Sequence, residues 1–194
     1  KAGVAQNLVL ISDQDLHADL AVKHVLFVLN NLTKDVRLVL LDPVRNYEDW
    51  KDLVQEYRHE SVEEFIELLE EELEKRMDVD IYRRTVYFIP DFASFLDQSS
   101  LVEDRFAELY NKGPKYKMHF VVSAMKNSLS QINNVTRAIK NNLDLAMLTM
   151  RLYDQSFIDN SYFSKEPKIE PSEAYFYNKG KAIKIKLSKQ EGKE

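Results

Sequence analysis

The chain has 194 residues, of which 44% are hydrophobic and 30% are charged, and its formal net charge is -5. This length and composition suit a single globular domain with its own core, and they exclude a disordered chain or a fibre. No apolar run approaches the roughly 18 residues that a membrane helix needs, the absence of cysteine excludes a disulfide framework, and the negative charge disfavours nucleic acid as a partner.

The beginning of the chain predicts a strand-helix-strand unit. Residues 7–12 form a short apolar run, which is typical of a strand buried on both faces of a parallel sheet. Apolar positions over residues 20–31 predict a helix. The run VRLVLLD at 36–42 predicts the second strand, which Asp42 and Pro43 close.

A long acidic helix follows this unit. Ser61 and Glu64 form the pattern of a capping box, which predicts that the helix begins there. Its eight glutamates between residues 60 and 74 lie mainly on one face, and we interpret them as a solvated face rather than a site for a basic partner. The opposite face carries the apolar side chains that we expect to be buried: Val62, Phe65, Ile66, Leu69, Leu73 and Met77.

The rest of the chain continues the alternation of strands and helices. The expected elements are a strand at 85–89, a helix at 99–111, a turn at Gly113-Pro114, a strand at 118–124, a helix at 129–141, a strand at 143–150 and a strand pair at 174–187. Because the strands are apolar throughout, this order predicts a mostly parallel sheet covered by helices on both faces. Ligands of such sheets usually bind beyond the carboxyl ends of the strands.

Several segments, taken in order, carry a resemblance to a known family. The acidic helix ends EEELEKRMDV, the next strand runs into IPDFASFL, the strand after it reads VVSAMKN, and AIKNNLDLAMLTM follows. Together they resemble the FtsK/SpoIIIE family of motor ATPases, in which the matching segments usually read EEMERRY, IDEFADL and IKANI. The resemblance covers most of residues 7–187. It implies an α/β fold of the three-layer RecA-like P-loop ATPase type, with a mostly parallel central sheet, as a single domain over 1–188 followed by a flexible tail at 189–194.

The loop after the first strand departs from the family's phosphate-binding pattern. A working P-loop has glycines that let backbone N–H groups face the phosphates, a lysine that neutralises their charge, and a Ser or Thr that holds Mg²⁺. Laid on GxxGxGKS without gaps, the three glycine positions hold Ser12, Asp15 and His17, the lysine position holds Ala18, and the hydroxyl position holds Asp19. Carboxylates close together at this loop repel a triphosphate rather than bind it.

The second half of the nucleotide site is altered in parallel. The family's metal-holding Asp corresponds to Pro90, and its water-activating Glu corresponds to Asp91, which is one methylene shorter. Where the family often reads TQRP, this chain has AMKN at 124–127. We therefore expect no catalytic residue, no metal and no cofactor in this domain. ATP with Mg²⁺ would bind only if this argument from the lost residues is wrong.

The aspartates of the loop leave a second interpretation open. Asp13, Asp15 and Asp19 are spaced closely enough to supply oxygens to Ca²⁺ or Mg²⁺. The glycine and glutamate of an EF-hand are missing from their places, so we favour a helix N-terminus capped by Asp15 or a neighbouring aspartate. His17 could pair with one of them, but no motif places a serine or cysteine nucleophile beside it.

The last strand pair also has two interpretations. Lys181, Lys184 and Lys186 alternate with apolar residues, which fits either a phosphate-contacting patch or an edge strand that lysine protects from unwanted pairing. We favour the edge strand. Tyr175 and Tyr177 lie near it, and as exposed side chains they would serve an interface or local packing.

Two arginines could act outside this domain. Arg137 and Arg151 are chemically suited to reach the nucleotide site of a neighbouring domain. Ordinary surface or salt-bridge roles are the favoured interpretation of both.

The departures from the family pattern resemble the C-terminal, third ATPase-like domain of the membrane coupling proteins of type VII secretion in Gram-positive bacteria. The resemblance implies a cytosolic domain of a bacterial cell-membrane protein that is an ATPase as a whole and that forms a homo-oligomer at full length. Its implied partners are the neighbouring ATPase domains of the same chain and secreted WXG-class helical-hairpin proteins, with no nucleic acid. The favoured function is a non-hydrolysing domain that recognises substrates or regulates its neighbours, and the alternative is an active motor that translocates protein or DNA.

Overall fold

A computed structural model describes residues 6–32, 35–79, 82–158 and 169–187. The strands within these ranges are β1 (Leu8–Ser12), β2 (Val36–Leu41), β3 (Glu56–Arg58), β4 (Arg84–Ile89), β5 (Met118–Met125), β6 (Leu145–Leu148), β7 (Glu173–Asn178) and β8 (Lys181–Lys186). The α-helices are α1 (Asp15–Leu32), α2 (Val62–Asp78), α3 (Ala93–Leu96), α4 (Ser100–Lys112) and α5 (Asn134–Asn141). The tail expected at 189–194 lies outside the described residues.

The strands form a mixed sheet in the order β3-β2-β4-β5-β1-β6-β7-β8. The strands from β3 to β6 in this order pair in parallel, whereas β7 and β8 add an antiparallel edge. Val9 of the central strand β1 faces Val122 of β5 on one side and Ala146 of β6 on the other. The prediction of a mostly parallel sheet is confirmed, and the carboxyl ends of its parallel strands meet at one edge.

Two apolar clusters cover the two faces of the sheet. The larger cluster packs α2, α4 and α5 against one face, and it contains Phe92, Phe106 and Phe120, whose rings lie in contact. The smaller cluster packs α1 and the single tryptophan, Trp50, against the opposite face. This gives the three layers that were expected, with helices on both sides of a buried sheet.

Helix α2 begins as predicted but ends differently. The Glu64 N–H donates to Ser61 Oγ at 3.3 Å and the Ser61 N–H donates to Glu64 Oε2 at 2.9 Å, so the capping box is present. Five of the six apolar residues expected on its inner face are buried, but Met77 is 55% exposed, which corrects that prediction. Arg76 turns inward instead, because its guanidinium finds the carbonyl groups of Arg83, Tyr116 and Lys117 at 3.1–3.2 Å.

Other boundaries also differ from the sequence predictions. The helix expected at 129–141 begins only at Asn134, because Asn133 and Thr136 form a capping box there. A separate short 3-10 turn at Ser128–Ser130 precedes it. Strand β3 and the 3-10 turn at Glu48–Leu53 were not predicted, since both are short and rich in charged residues.

The edge-strand interpretation of the lysine-rich segment is confirmed. β8 lies at the edge of the sheet, and Ile183 is 59% exposed there. Lys184 Nζ lies 2.7 Å from Glu173 Oε2 on the neighbouring strand. The expectation that Tyr175 is exposed was wrong, because this ring is buried in the larger apolar cluster.

Among the described helices, none is long and apolar enough to cross a membrane.

Candidate functional site

A cavity of about 400 Å³ lies beyond the carboxyl ends of β1, β2, β4 and β5. It is where a ligand of a parallel sheet is expected to bind. The structure brings both altered halves of the predicted nucleotide site to its wall. The residues that line it are Asp15, Ala18, Asp19, Asn46, Tyr47, Pro90, Asp91, Phe92, Ala93, Ser123, Ala124, Met125 and Ser128.

The loop after β1 is held by hydrogen bonds within the protein. The N–H groups of His17 and Ala18 both donate to the carbonyl oxygen of Gln14 at 3.1 Å, so they close the first turn of α1. The residue at the first glycine position, Ser12, is fully buried, and its Oγ accepts a hydrogen bond of 2.8 Å from the Thr149 hydroxyl. These backbone and side-chain groups serve the fold rather than a ligand.

The aspartates of this loop do not all lie together. Asp15 and Asp19 line the cavity, whereas Asp13 lies outside the lining and places its Oδ1 3.4 Å from His17 Nδ1. Asp15 is the first residue of α1 rather than the residue before it, and capping of this helix by a neighbouring aspartate stays a prediction. Across the described ranges no three His, Asp or Glu side chains are grouped as a metal ion would require.

Pro90 and Asp91 occupy the opposite wall. Pro90 is buried directly after β4, and the next turn is held by the Phe92 N–H, which donates to the Ser123 carbonyl oxygen at 3.1 Å. A proline side chain offers no oxygen to a metal ion, and Asp91 is half-buried at the cavity wall. Met125 adds a thioether where the family pattern has a polar side chain.

The cavity is acidic. Asp15, Asp19 and Asp91 line it, and the lining contains no lysine or arginine among the described residues. Burial raises the pKa of Asp19, and Asp15 adds to the rise while Lys23 opposes it. Burial also raises the pKa of the Tyr47 hydroxyl, and the carboxylates of Asp19, Asp91, Asp42 and Asp15 raise it further. An anionic ligand in this cavity would therefore meet charges of its own sign.

Asp42 shapes the wall that carries Asn46 and Tyr47. Its carboxylate is 1% exposed and accepts hydrogen bonds from the Asn46 N–H at 3.1 Å, the Tyr47 N–H at 2.8 Å and the Tyr57 hydroxyl at 2.8 Å. Burial and this hydrogen bond to Asp42 raise the pKa of Tyr57 to about 12. From the sequence, Asp42 was predicted only to end a strand, although its position at a strand's carboxyl end was a signal for a site residue.

A second cavity, of about 850 Å³, lies on the other side of the 125–130 loop. Three cationic side chains line it, Lys126, Arg137 and Lys140, and the exposed side chains of Ile132 and Tyr153 stand at its wall. No sequence pattern predicted this cavity, because its walls come from segments far apart in the chain. The remaining lining residues are Ile11, Asn127, Leu129, Ser130, Gln131, Asn133, Thr136, Asp154, Gln155, Ser156 and Phe157.

The two arginines considered for action in trans differ. Arg151 pairs with Asp154 through Nε at 2.7 Å and Nη2 at 2.9 Å, which agrees with the salt-bridge interpretation. Arg137 lies exposed at the second cavity, and its Nη1 donates to Asn134 Oδ1 at 3.2 Å.

Comparison with known proteins supports the resemblance seen in the sequence. The chain is 26% identical over 118 residues to the type VII secretion system protein EssC of Staphylococcus aureus (strain NCTC 8325 / PS 47), and these residues make up 60% of this chain and 8% of EssC. The chain therefore matches only a small part of that curated relative. No protein-family model matches the chain.

Solved structures show the same fold. ATPases 2 and 3 of EssC from Geobacillus thermodenitrificans match 95% of this chain and 37% of that chain, with a TM-score of 0.79 and 21% identity. ATPases 2 and 3 of Thermomonospora curvata EccC, in complex with a signal sequence peptide, match 97% of this chain and 38% of that chain, with a TM-score of 0.69 and 12% identity. The chain is thus similar in sequence to part of the type VII secretion protein EssC, and it has the RecA-like fold of the ATPase domains 2 and 3 of EssC from Geobacillus thermodenitrificans.

Proposed function

We propose that the chain is a non-hydrolysing ATPase-like domain of a type VII secretion coupling protein, and that it acts in substrate recognition or in the regulation of neighbouring ATPase domains. The observation that carries this proposal is the acidic cavity at the strand ends. It stands where the RecA-like fold places its nucleotide, yet it is lined by Asp15, Ala18 and Asp19 on one wall and by Pro90 on the other.

The charge of this cavity opposes nucleotide binding. Two like charges about 4 Å apart repel by about 4 kcal/mol at an effective dielectric constant of 20. The helix dipole of α1 attracts an anion by only about 0.3–1 kcal/mol, so it does not offset several such pairs. The amides of His17 and Ala18 are bonded within the first helical turn, so these two donors are not directed at a phosphate.

A fold that is retained without its chemistry is most simply retained for its surfaces. The partners we propose are the neighbouring ATPase domains of the same protein and secreted WXG-class helical-hairpin proteins. The complex of the related EccC domains with a signal sequence peptide supports a protein segment as the ligand. In this proposal the chain is the third ATPase-like domain of a membrane protein and lies on the cytosolic side. The full-length protein forms a homo-oligomer.

Two assays test the proposal. A phosphate-release assay with millimolar ATP and Mg²⁺ should show no turnover above a protein-free control, and turnover would favour the alternative of an active motor. Fluorescence anisotropy with a labelled WXG-class substrate from the same secretion system should show saturable binding in the absence of nucleotide. If neither substrate nor a neighbouring ATPase domain binds, the recognition and regulatory roles are both lost.

A further inference from the structure

The second cavity has walls that are held in place by buried polar side chains. The Gln155 side chain donates to the carbonyl oxygens of Leu152 and Ile158 and accepts from the N–H groups of Phe157 and Ile158, at 2.7–3.0 Å. This fixes the segment that forms one wall. Because the segment is ordered without a ligand, binding there would lose little conformational entropy.

The opposite wall is held in a similar way. Asn133 caps the beginning of α5 by accepting from the Thr136 N–H at 2.8 Å, and the Thr136 hydroxyl donates to the Gln131 carbonyl oxygen at 2.6 Å. These bonds fix the turn that carries Ile132, which is 90% exposed. An apolar side chain that is held in water at the mouth of a cavity is typical of a surface that binds another apolar group.

The charge of this cavity is opposite to that of the chain. Lys126, Arg137 and Lys140 contribute positive charge, whereas Asp154, the one carboxylate among the described lining residues, is paired with Arg151. Arg151 and Lys126 both lower the pKa of Asp154, with Arg151 the larger cause. The chain as a whole carries a net charge of -5. The positive charge at this cavity is therefore local, and it selects for an anionic ligand.

We propose that this cavity binds an acidic segment of a secreted polypeptide, with apolar anchors against Ile132 and Tyr153 and carboxylates against Lys126, Arg137 and Lys140. The inference rests on the substrate-recognition part of the proposed function, and it names the surface and the charge of the segment. Tyr153 is 59% exposed and Leu129 lies buried in the wall, so the site offers apolar contact beside its cations.

The site fits a peptide better than a free phosphate. The described residues of its lining combine the three cations with five apolar or aromatic side chains, which a small anion would leave unused: Ile11, Leu129, Ile132, Tyr153 and Phe157. A helical or extended segment with alternating acidic and apolar side chains contacts both kinds of group.

The test uses three labelled peptides of about 15 residues in which leucine alternates with one polar residue type. The polar residue is Glu in the first peptide, Gln in the second and Lys in the third. Fluorescence anisotropy with the whole chain measures each dissociation constant. We expect the Glu peptide to bind about tenfold more tightly than the Gln peptide, since each exposed ion pair contributes a factor of roughly two to five. The Lys peptide should bind most weakly, and the preference should shrink as salt rises from about 0.05 M to about 0.5 M.

Variants separate the two contributions. Combined Lys126→Gln, Arg137→Gln and Lys140→Gln should abolish the preference for Glu over Gln, whereas Ile132→Ser should weaken the Glu and Gln peptides by the same factor. The matched control replaces three exposed lysines at the other end of the sheet by glutamine, and it should leave the preference unchanged: Lys115, Lys179 and Lys181.

Equal binding of the three peptides, no binding of any, or a preference that survives the triple substitution at the cavity would overturn the inference. If these results occur while a WXG-class substrate still binds the chain, the proposed function stands and this surface is not its site.

A second copy of the chain is the other occupant with suitable charge, because α2 exposes Glu63, Glu67 and Glu74. Sedimentation velocity should show a monomer, and a dimer that Arg137→Gln dissociates would also overturn the assignment.

Discussion

Replacement of Asp42 by alanine should destabilise the fold and release the wall of the acidic cavity. The substitution leaves the N–H groups of Asn46 and Tyr47 and the hydroxyl of Tyr57 without their acceptor. Each hydrogen bond to a charged group contributes about 1.5–3 kcal/mol. Part of this lost stabilisation is offset, because the variant no longer has to desolvate a carboxylate when it folds. We expect the free energy of unfolding to fall by about 3 kcal/mol.

Two milder changes divide this effect. Asp42→Asn keeps one acceptor oxygen in the same place, so it should cost about 1–2 kcal/mol. Tyr57→Phe removes only the hydroxyl donor and should cost about 1 kcal/mol. Asp52→Ala is the matched control on the exposed surface of the same region, and it should change stability by less than about 0.5 kcal/mol.

Urea unfolding at pH 7 measures these changes through the fluorescence of Trp50. This is the single tryptophan of the chain, it is 3% exposed, and its ring centroid lies 4.6 Å from that of Tyr47. The same signal therefore reports both global unfolding and a local change in the loop. The reasoning is refuted if Asp42→Ala costs no more than Asp52→Ala.

Two further predictions concern buried charged and titratable groups. Arg76→Ala should lower the free energy of unfolding by about 3 kcal/mol, since it removes a buried guanidinium that donates to the carbonyl oxygens of Arg83 and Tyr116 and pairs with the Glu72 carboxylate. Chemical unfolding checks this against Lys75→Ala on the exposed face, and equal effects would contradict it. Burial, with help from the charges of Arg84 and Arg76, lowers the pKa of His119 to about 4, and its Nδ1 has no hydrogen-bond partner. The imidazole of the unfolded chain takes up this proton near pH 6.5. The free energy of unfolding of the wild type should therefore fall by about 2 kcal/mol relative to that of His119→Gln between pH 7 and pH 5. Urea unfolding measures both, and parallel curves of stability against pH would rule the effect out.

The sequence predicted the order of the main strands and helices because their signals are local. Apolar runs gave β1, β2, β4 and β5, and the Ser61-Glu64 pair gave the start of α2. Each of these signals lies within one element. The prediction needed no knowledge of which segments meet in space.

The errors lie where tertiary contacts decide. The inward position at the end of α2 went to Arg76 rather than Met77, because the buried carbonyls that bind Arg76 come from residues up to 41 positions away. Tyr175 was expected to be exposed, but it is buried because β7 pairs with β6 and brings the ring to the larger cluster. No local pattern carries this information.

The candidate site was partly predictable. The family pattern placed Asp15, Ala18 and Asp19 opposite Pro90 and Asp91, and these residues line one cavity. Tyr47 and Asn46 were missed because their position depends on Asp42, whose three hydrogen-bond donors are fixed only in the folded loop. The second cavity was missed because its walls come from segments far apart in the chain.

The most direct test of the central claim is a calorimetric titration of the chain with ATP and Mg²⁺. We predict no binding heat at millimolar nucleotide for the wild type, because Asp15, Asp19 and Asp91 line the cavity and no lysine or arginine among its described lining residues opposes them. Asp15→Asn combined with Asp19→Asn removes two of these charges and should bring weak binding without turnover. Saturable binding of ATP by the wild type, as tight as or tighter than that of the double variant, would contradict this claim and favour the alternative function of an ATP-driven motor.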